Sequence, residues 1–275
     1  MNAPLIALLL RRHGLACALT ALVPVLLGVV AGELWPEYRD QFATIEKFGV
    51  MKLVKNFLRS DLIPSDSSTF VFQLPYVHPV SMLALIVAMA LPTLGWPAGA
   101  RGRNVLDLVL ATPLRRGELV VTAFVFTLPF ALLHALAPLA GVALGAARAG
   151  IAGELPFAAF LRVSGETFAL GVFFAGLTAL LSVGLRPRRL SRTPEAGQAL
   201  TLLSGIVLWS LLAEVVATMW EPARWLKHCT PFGWFEPPQV LAGTTSALRD
   251  GGVLAAAGLL CLALAVRNQR ARRSA

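Results

Sequence analysis

The residues able to do chemistry in this chain are few, and their spacing excludes most enzymes. His13, His78, His134 and His228 stand far apart, with no His-Glu-x-x-His and no Cys-x-x-Cys, so no metal set is expected. The lysines are Lys47, Lys52, Lys55 and Lys227, and none follows a glycine. The Gly-x-x-x-x-Gly-Lys-Ser/Thr loop that cradles nucleotide phosphates is therefore missing, and the chain cannot hydrolyse ATP by that route. No Gly-x-Ser-x-Gly elbow presents a serine nucleophile. Four ionisable residues in or beside apolar stretches remain: His134, Arg162, Glu166 and Glu214. Charge within a membrane is expensive, so such residues are functional candidates by default. Arg162 and Glu166 are spaced i, i+4 and can pair along a helix face; they either neutralise each other or line an outer vestibule. Glu214 either reaches interfacial water or faces a pathway. His134 lies deeper, where it bonds a neighbouring span or meets a substrate. Ser164-Gly165 and Ser204-Gly205 read as helix-packing residues.

Those residues need elements to hold them. The 275-residue chain is 56% hydrophobic and only 14% charged, far more apolar than a soluble domain. Six stretches, roughly 14–32, 79–100, 119–147, 167–185, 196–213 and 251–266, contain no Lys, Arg, Asp or Glu. A span needs about 20 apolar residues, and the short last stretch extends by snorkelling of its flanking arginines. In lipid the backbone must satisfy itself, so the stretches are helices rather than strands. An all-α polytopic membrane protein follows, a single domain over residues 1–275. The segments 1–13, 101–118, 186–195 and 267–275 hold 14 of the 24 basic residues, all Arg, against three acids, a net of +11, while the rest of the chain nets −2. Cationic loops stay in the cytoplasm. Both termini are thus expected inside and the 33–78 and 214–250 segments outside. The one-sided charge sets topology and does not call for nucleic acid.

Smaller features fit this frame. The apolar run Pro4–Leu10 before Arg11 reads as a short interfacial helix. A signal peptide competes for residues 1–32, but the apolar run is long for one and Val30-Ala31-Gly32 is a poor cleavage site. Phe42, Ile45, Phe48, Leu53, Phe57 and Leu58 recur near helical spacing, giving one or two amphipathic outer helices ended by Pro64. Trp220, Trp225 and Trp234 suit an outer aromatic belt. The apolar segment Pro231–Pro238 is too broken to span, so it dips into the leaflet or packs on span ends. Cys17, Cys229 and Cys261 make no disulfide framework, and Cys229 reads as a free external thiol. No internal repeat stands out, which weakens an inverted-repeat secondary transporter.

Between the second and third stretches, Arg101, Arg103, Arg115 and Arg116 bracket a short apolar face made by Val105, Leu106, Val109 and Leu110. Asn104 can cap a helix, with Asp107 three positions later as the acidic arm of the cap, and Thr112-Pro113 stops it. This amphipathic helix at the inner surface either binds anionic lipid or docks a cytoplasmic partner.

The segment Ala98–Leu119 resembles the permease subunits of type-two ABC exporters. Ala98-Gly99, Val105-Leu106-Asp107, Leu110-Ala111-Thr112-Pro113 and Arg115-Arg116 match the connection that follows span 2 in that family. Ala100 stands where the family usually has Glu, and Asn104 where it usually has Gly. More loosely, six spans, a long first outer segment, His78-Pro79 opening span 2 and an apolar outer segment before span 6 fit the same layout. The resemblance implies a second permease, identical or homologous, and two copies of a cytoplasmic ATPase that carries the ATP and Mg. It implies that Arg101, Arg103, Asn104, Leu106, Asp107, Leu110, Pro113, Arg115 and Arg116 couple to that ATPase. A chain that binds no cofactor and is not itself an enzyme fits this expectation. An ion-coupled secondary transporter, or a membrane-embedded enzyme or scaffold, is the alternative.

Overall fold

The structure, a computed structural model, describes residues 3–47, 62–94, 116–184 and 195–271, and their regular structure is all helical. Helix α1 (Ala3–Leu9) passes through a π-type turn (Leu10–Gly14) into α2 (Leu15–Thr20) and, after Ala21, α3 (Leu22–Lys47). Two short helices, α4 (Ser68–Phe72) and α5 (Leu74–Val77), lead into α6 (Pro79–Thr93). Then come α7 (Arg116–Arg148), α8 (Phe157–Gly184), α9 (Glu195–Met219), α10 (Pro237–Leu241) and α11 (Ala247–Ala271). Six helical stretches are long and apolar enough to cross a membrane, as a multi-pass membrane protein requires.

Local chemistry explains the element starts. The Ser67 hydroxyl accepts from the Phe70 amide to cap α4, and His78 Nδ1 accepts from the Val80 amide to cap α6. Pro79 then sits in the first turn, where its missing N–H costs nothing.

The apolar run at Pro4–Leu10 is not set apart from the first span. It continues into it, and Leu5 and Leu9 are buried with Leu119 and Phe126 of α7. The first span also continues to Lys47, and along it Trp35, Tyr38 and Phe42 form an aromatic ladder that reaches Phe70. The amphipathic helix expected from Phe42 onward therefore begins as an extension of the span; its part over 48–61 lies outside the described residues. Helix α8 starts ten residues earlier than the apolar stretch 167–185, and α9 runs to Met219. Charged residues end a hydropathy window, but they do not end a helix. At about 1.5 Å per residue, the 28 residues of α8 exceed a hydrocarbon core of about 30 Å, so its charged turn can lie beyond the tails.

Two glycine seams set the packing. A Cβ at Gly28 would fall on the backbone of Gly141, and one at Gly32 on that of Gly145, so α3 and α7 touch backbone to backbone. Gly176 and Gly258 do the same between α8 and α11. Lipid offers no hydrophobic drive between helices, so close approach over small residues supplies the contact. At one end of the α3–α7 seam, Arg148 pairs with Glu33 at 2.6 Å. Leu85, Met89, Leu170, Phe174, Phe232 and Leu254 belong to the main core. A second core joins Trp35, Phe72, Ile151, Leu155, Phe160 and Val240. It gathers the described parts of the 33–77, 149–156 and 220–246 connections at one end of the bundle.

Candidate functional site

The connection 95–115 lies outside the described residues, and with it Arg101, Arg103, Asn104, Leu106, Asp107, Leu110, Pro113 and Arg115. Arg116 begins α7. The helix ends that flank this connection are described. Thr93, in the last turn of α6, donates to Thr178 Oγ1 of α8 at 2.8 Å, and both are fully buried.

His134 is a structural knot. Its Nδ1 lies 2.9 Å from the Phe130 carbonyl and its Nε2 3.1 Å from Thr20 Oγ1. In neutral imidazole Nδ1–H donates to the carbonyl and Nε2 faces the Thr20 hydroxyl, whose one proton is shared with the Cys17 carbonyl at 2.9 Å. A cavity of about 20 Å³ is lined by His134, Tyr76, Ser81, Thr167 and Phe235 among others. That is room for one water and nothing larger, so His134 meets no substrate in this conformation. Tyr76 beside it reaches Ser164 Oγ at 3.1 Å, but a Cβ at Gly165 or Gly205 would meet nothing within 4 Å and Ser204 is exposed, so the expected packing role does not extend to those residues.

Arg162 and Glu166 do not form the pair their spacing allows. Arg162 is exposed and its Nε donates to its own helix at Ala158. Glu166 lies on another face and is 0% exposed, with neither carboxylate oxygen bonded among the described residues. The i, i+4 geometry permits a contact, but packing of α8 on α11 turns Glu166 inward: its Cγ lies beside Gly251. Asp250 and Glu236 act on its carboxylate through space. Each of those acids has a cation: Arg249 Nε donates to Asp250 at 2.7 Å, and Lys227 pairs with Glu236.

Glu214 sits inside α9 rather than in interfacial water, 3% exposed. Thr230 donates to its Oε1 at 3.1 Å, and the Gly233 amide donates back to Thr230 Oγ1 at 3.1 Å. Any Cβ at Gly233 would strike the Lys227 carbonyl and crowd Glu214. The segment Pro231–Pro238 thus packs on the span ends, with Phe232 and Phe235 each 1% exposed and Phe232 tilted on Phe174 at 6.1 Å.

The structure thereby links Glu214, Thr230, Lys227 and Glu236 into one bonded polar string from α9 through the 220–236 connection, while Glu166 of α8 lies beside Gly251 of α11, next in the chain to Asp250. His134 and Arg162 stand apart from it. Sequence reading missed Lys227, Glu236 and Asp250 as partners, because nothing in their local spacing points to Glu166. The Asp250-Gly251-Gly252 step is the nearest thing to a signal, an acid beside a residue with no side chain to shield it. The described residues hold no cluster of three metal-ligating side chains, and Cys17, Cys229 and Cys261 are free thiols, with Cys229 exposed.

No protein-family model matches the chain, and no curated protein and no solved structure matches it either.

Proposed function

We propose that the chain is the membrane-spanning permease subunit of an ATP-driven exporter of the type-two ABC class. It pairs with a second permease and two cytoplasmic ATPase subunits, and it moves an amphipathic or hydrophobic molecule across the membrane, a bacterial inner membrane in this reading. The observation that carries the proposal is Leu110-Ala111-Thr112-Pro113 with its bracketing arginines, between two apolar spans of a chain with no phosphate loop. Six apolar helices support it.

A push on residues 95–115 would reach α6 and α7 directly. From α6 it passes to α8 through Thr93 and Thr178; from α7 it passes to α3 through the Gly28–Gly141 seam. Packed helices of this kind move as bodies, so a local stroke biases the whole bundle between two openings.

Purification from native membranes tests the reading: an ATPase with a phosphate loop should co-purify. Absence of such a subunit, together with transport that follows an ion gradient without ATP, would sink it. Changing both Leu106 and Leu110 to Asp should abolish ATP-coupled transport and leave membrane insertion intact; unchanged ATPase binding and transport would refute the docking role. One observation favours the second reading, an ion-coupled transporter: Glu166, buried in a span with no bonded partner among the described residues, is the kind of residue ion coupling uses.

A further inference from the structure

Four polar side chains line the cavity beside His134: Tyr76 of α5, Ser81 of α6, His134 of α7 and Thr167 of α8. All four are buried. Ser81 is the one among them whose side chain bonds nothing among the described residues: it is 7% exposed and its hydroxyl has no partner. A buried hydroxyl left unpaired is costly. The others are engaged on one side only. Thr167 donates to the Val163 carbonyl at 3.0 Å, and a hydroxyl that has donated still accepts. Pro138 lines the same cavity within α7. It has no N–H, so the His134 carbonyl one turn before it lacks its α-helical donor.

The site therefore offers one spare donor, the Ser81 O–H, and several spare acceptors. The ligand that completes it must accept once, donate twice and be small. The cavity, about 20 Å³, takes one water, which needs at least about 10–15 Å³. A cation fails on two counts. It accepts nothing from Ser81, and no Asp, Glu, Lys or Arg is among the described lining residues to balance its charge. Within a bilayer, ordered water is a recognised way to satisfy carbonyls that a proline frees.

Register along the helices selects the bridge. Thr93 of α6 bonds Thr178 of α8 directly. Counting back, Ser81 lies 12 residues before Thr93, and Thr167 lies 11 before Thr178. At about 1.5 Å per residue these rises nearly match, so α6 and α8 run parallel with Ser81 and Thr167 at one level, on the wall of one cavity.

We propose that a single water is a fixed part of this fold, accepting from Ser81 and donating to Thr167 Oγ1 and to the His134 carbonyl. Helix α6 is then tied to α8 twice, directly at its last turn and through water at its first, and the water also reaches α7 at Pro138. The site does not depend on the permease reading. Crystals of the full chain grown from lipid mesophase give the direct test. A solvent peak should lie at hydrogen-bond distance from Ser81 Oγ, about 2.5–3.0 Å, and its absence overturns the proposal. SDS unfolding titrations in sodium chloride give the energetic test. Ser81→Ala should lower the midpoint by more than Ser204→Ala, which alters an exposed hydroxyl. An unchanged or raised midpoint overturns the bridge, because deleting a hydroxyl that bonds nothing costs nothing. A double-mutant cycle of Ser81→Ala and Thr167→Val should show coupling between two side chains that share no bond; zero coupling overturns it as well. Replacing sodium by choline at equal ionic strength should leave the wild-type midpoint in place. A sodium-dependent rise that Ser81→Ala abolishes would make the ligand a cation and overturn water.

Discussion

Thr230 ties the 220–236 connection to α9. Its hydroxyl serves the buried Glu214 and receives the Gly233 amide, so one side chain caps a turn and solvates a carboxylate. Thr230→Val keeps the shape and removes both functions. It should destabilise the chain by about 1–3 kcal/mol, the usual cost of stranding a buried polar group, read as a lower midpoint in an SDS unfolding titration. Thr230→Ser should stay close to wild type; a valine variant as stable as wild type would show that Glu214 finds its donors elsewhere. Glu33 and Arg148 make the opposite case. Their side chains are 55% and 65% exposed, so solvent screens the pair, and reversing both charges should shift stability by less than about 1 kcal/mol.

Between elements, the glycine seams and the Thr93–Thr178 bond make different predictions. Gly145→Leu would drive a side chain into the Gly28 backbone, a cost at or beyond the ~3 kcal/mol upper end of ordinary overpacking. Gly165→Leu, where a Cβ meets nothing within 4 Å, should be tolerated in the same assay. A double-mutant cycle of Thr93→Val and Thr178→Val should give a coupling near 0.6 kcal/mol, the average for hydrogen bonds between membrane helices; a coupling of zero would remove that bond as a link between α6 and α8. The six helices could be read from sequence because apolar runs without charge have only one stable backbone solution in lipid. Their ends could not: Phe157 and Met219 lie past charged residues that stop a hydropathy window without stopping a helix. Gly28-x-x-x-Gly32 and Gly141-x-x-x-Gly145 are visible in the chain, yet which glycine meets which is decided by tertiary packing. The same holds at Glu166, whose local neighbour Arg162 looked like its partner and whose true neighbours come from α11 and the 220–236 connection.

At the scale of the whole molecule, the helices form two clamped pairs, α3 with α7 and α8 with α11, joined through α7 and α8. Helix α9 is attached more sparsely and turns Leu208, Trp209, Leu212 and Met219 outward. That apolar surface suits lipid, and it makes α9 the element freest to shift against the rest. The clamps also impose a schedule on the ribosome. Gly28 and Gly141 are 113 residues apart in the chain, and synthesis at about 5–20 residues per second separates them by roughly 6 to 23 seconds. For that interval the first span waits in the bilayer with its bare glycine stripe unmatched, open to any other small-faced helix that passes. Cysteines placed at Val25 and Val142, which flank the seam, should crosslink only in nascent chains whose third span has emerged; an earlier crosslink-independent clamp on the first span would point to a chaperone holding that stripe until its mate is made.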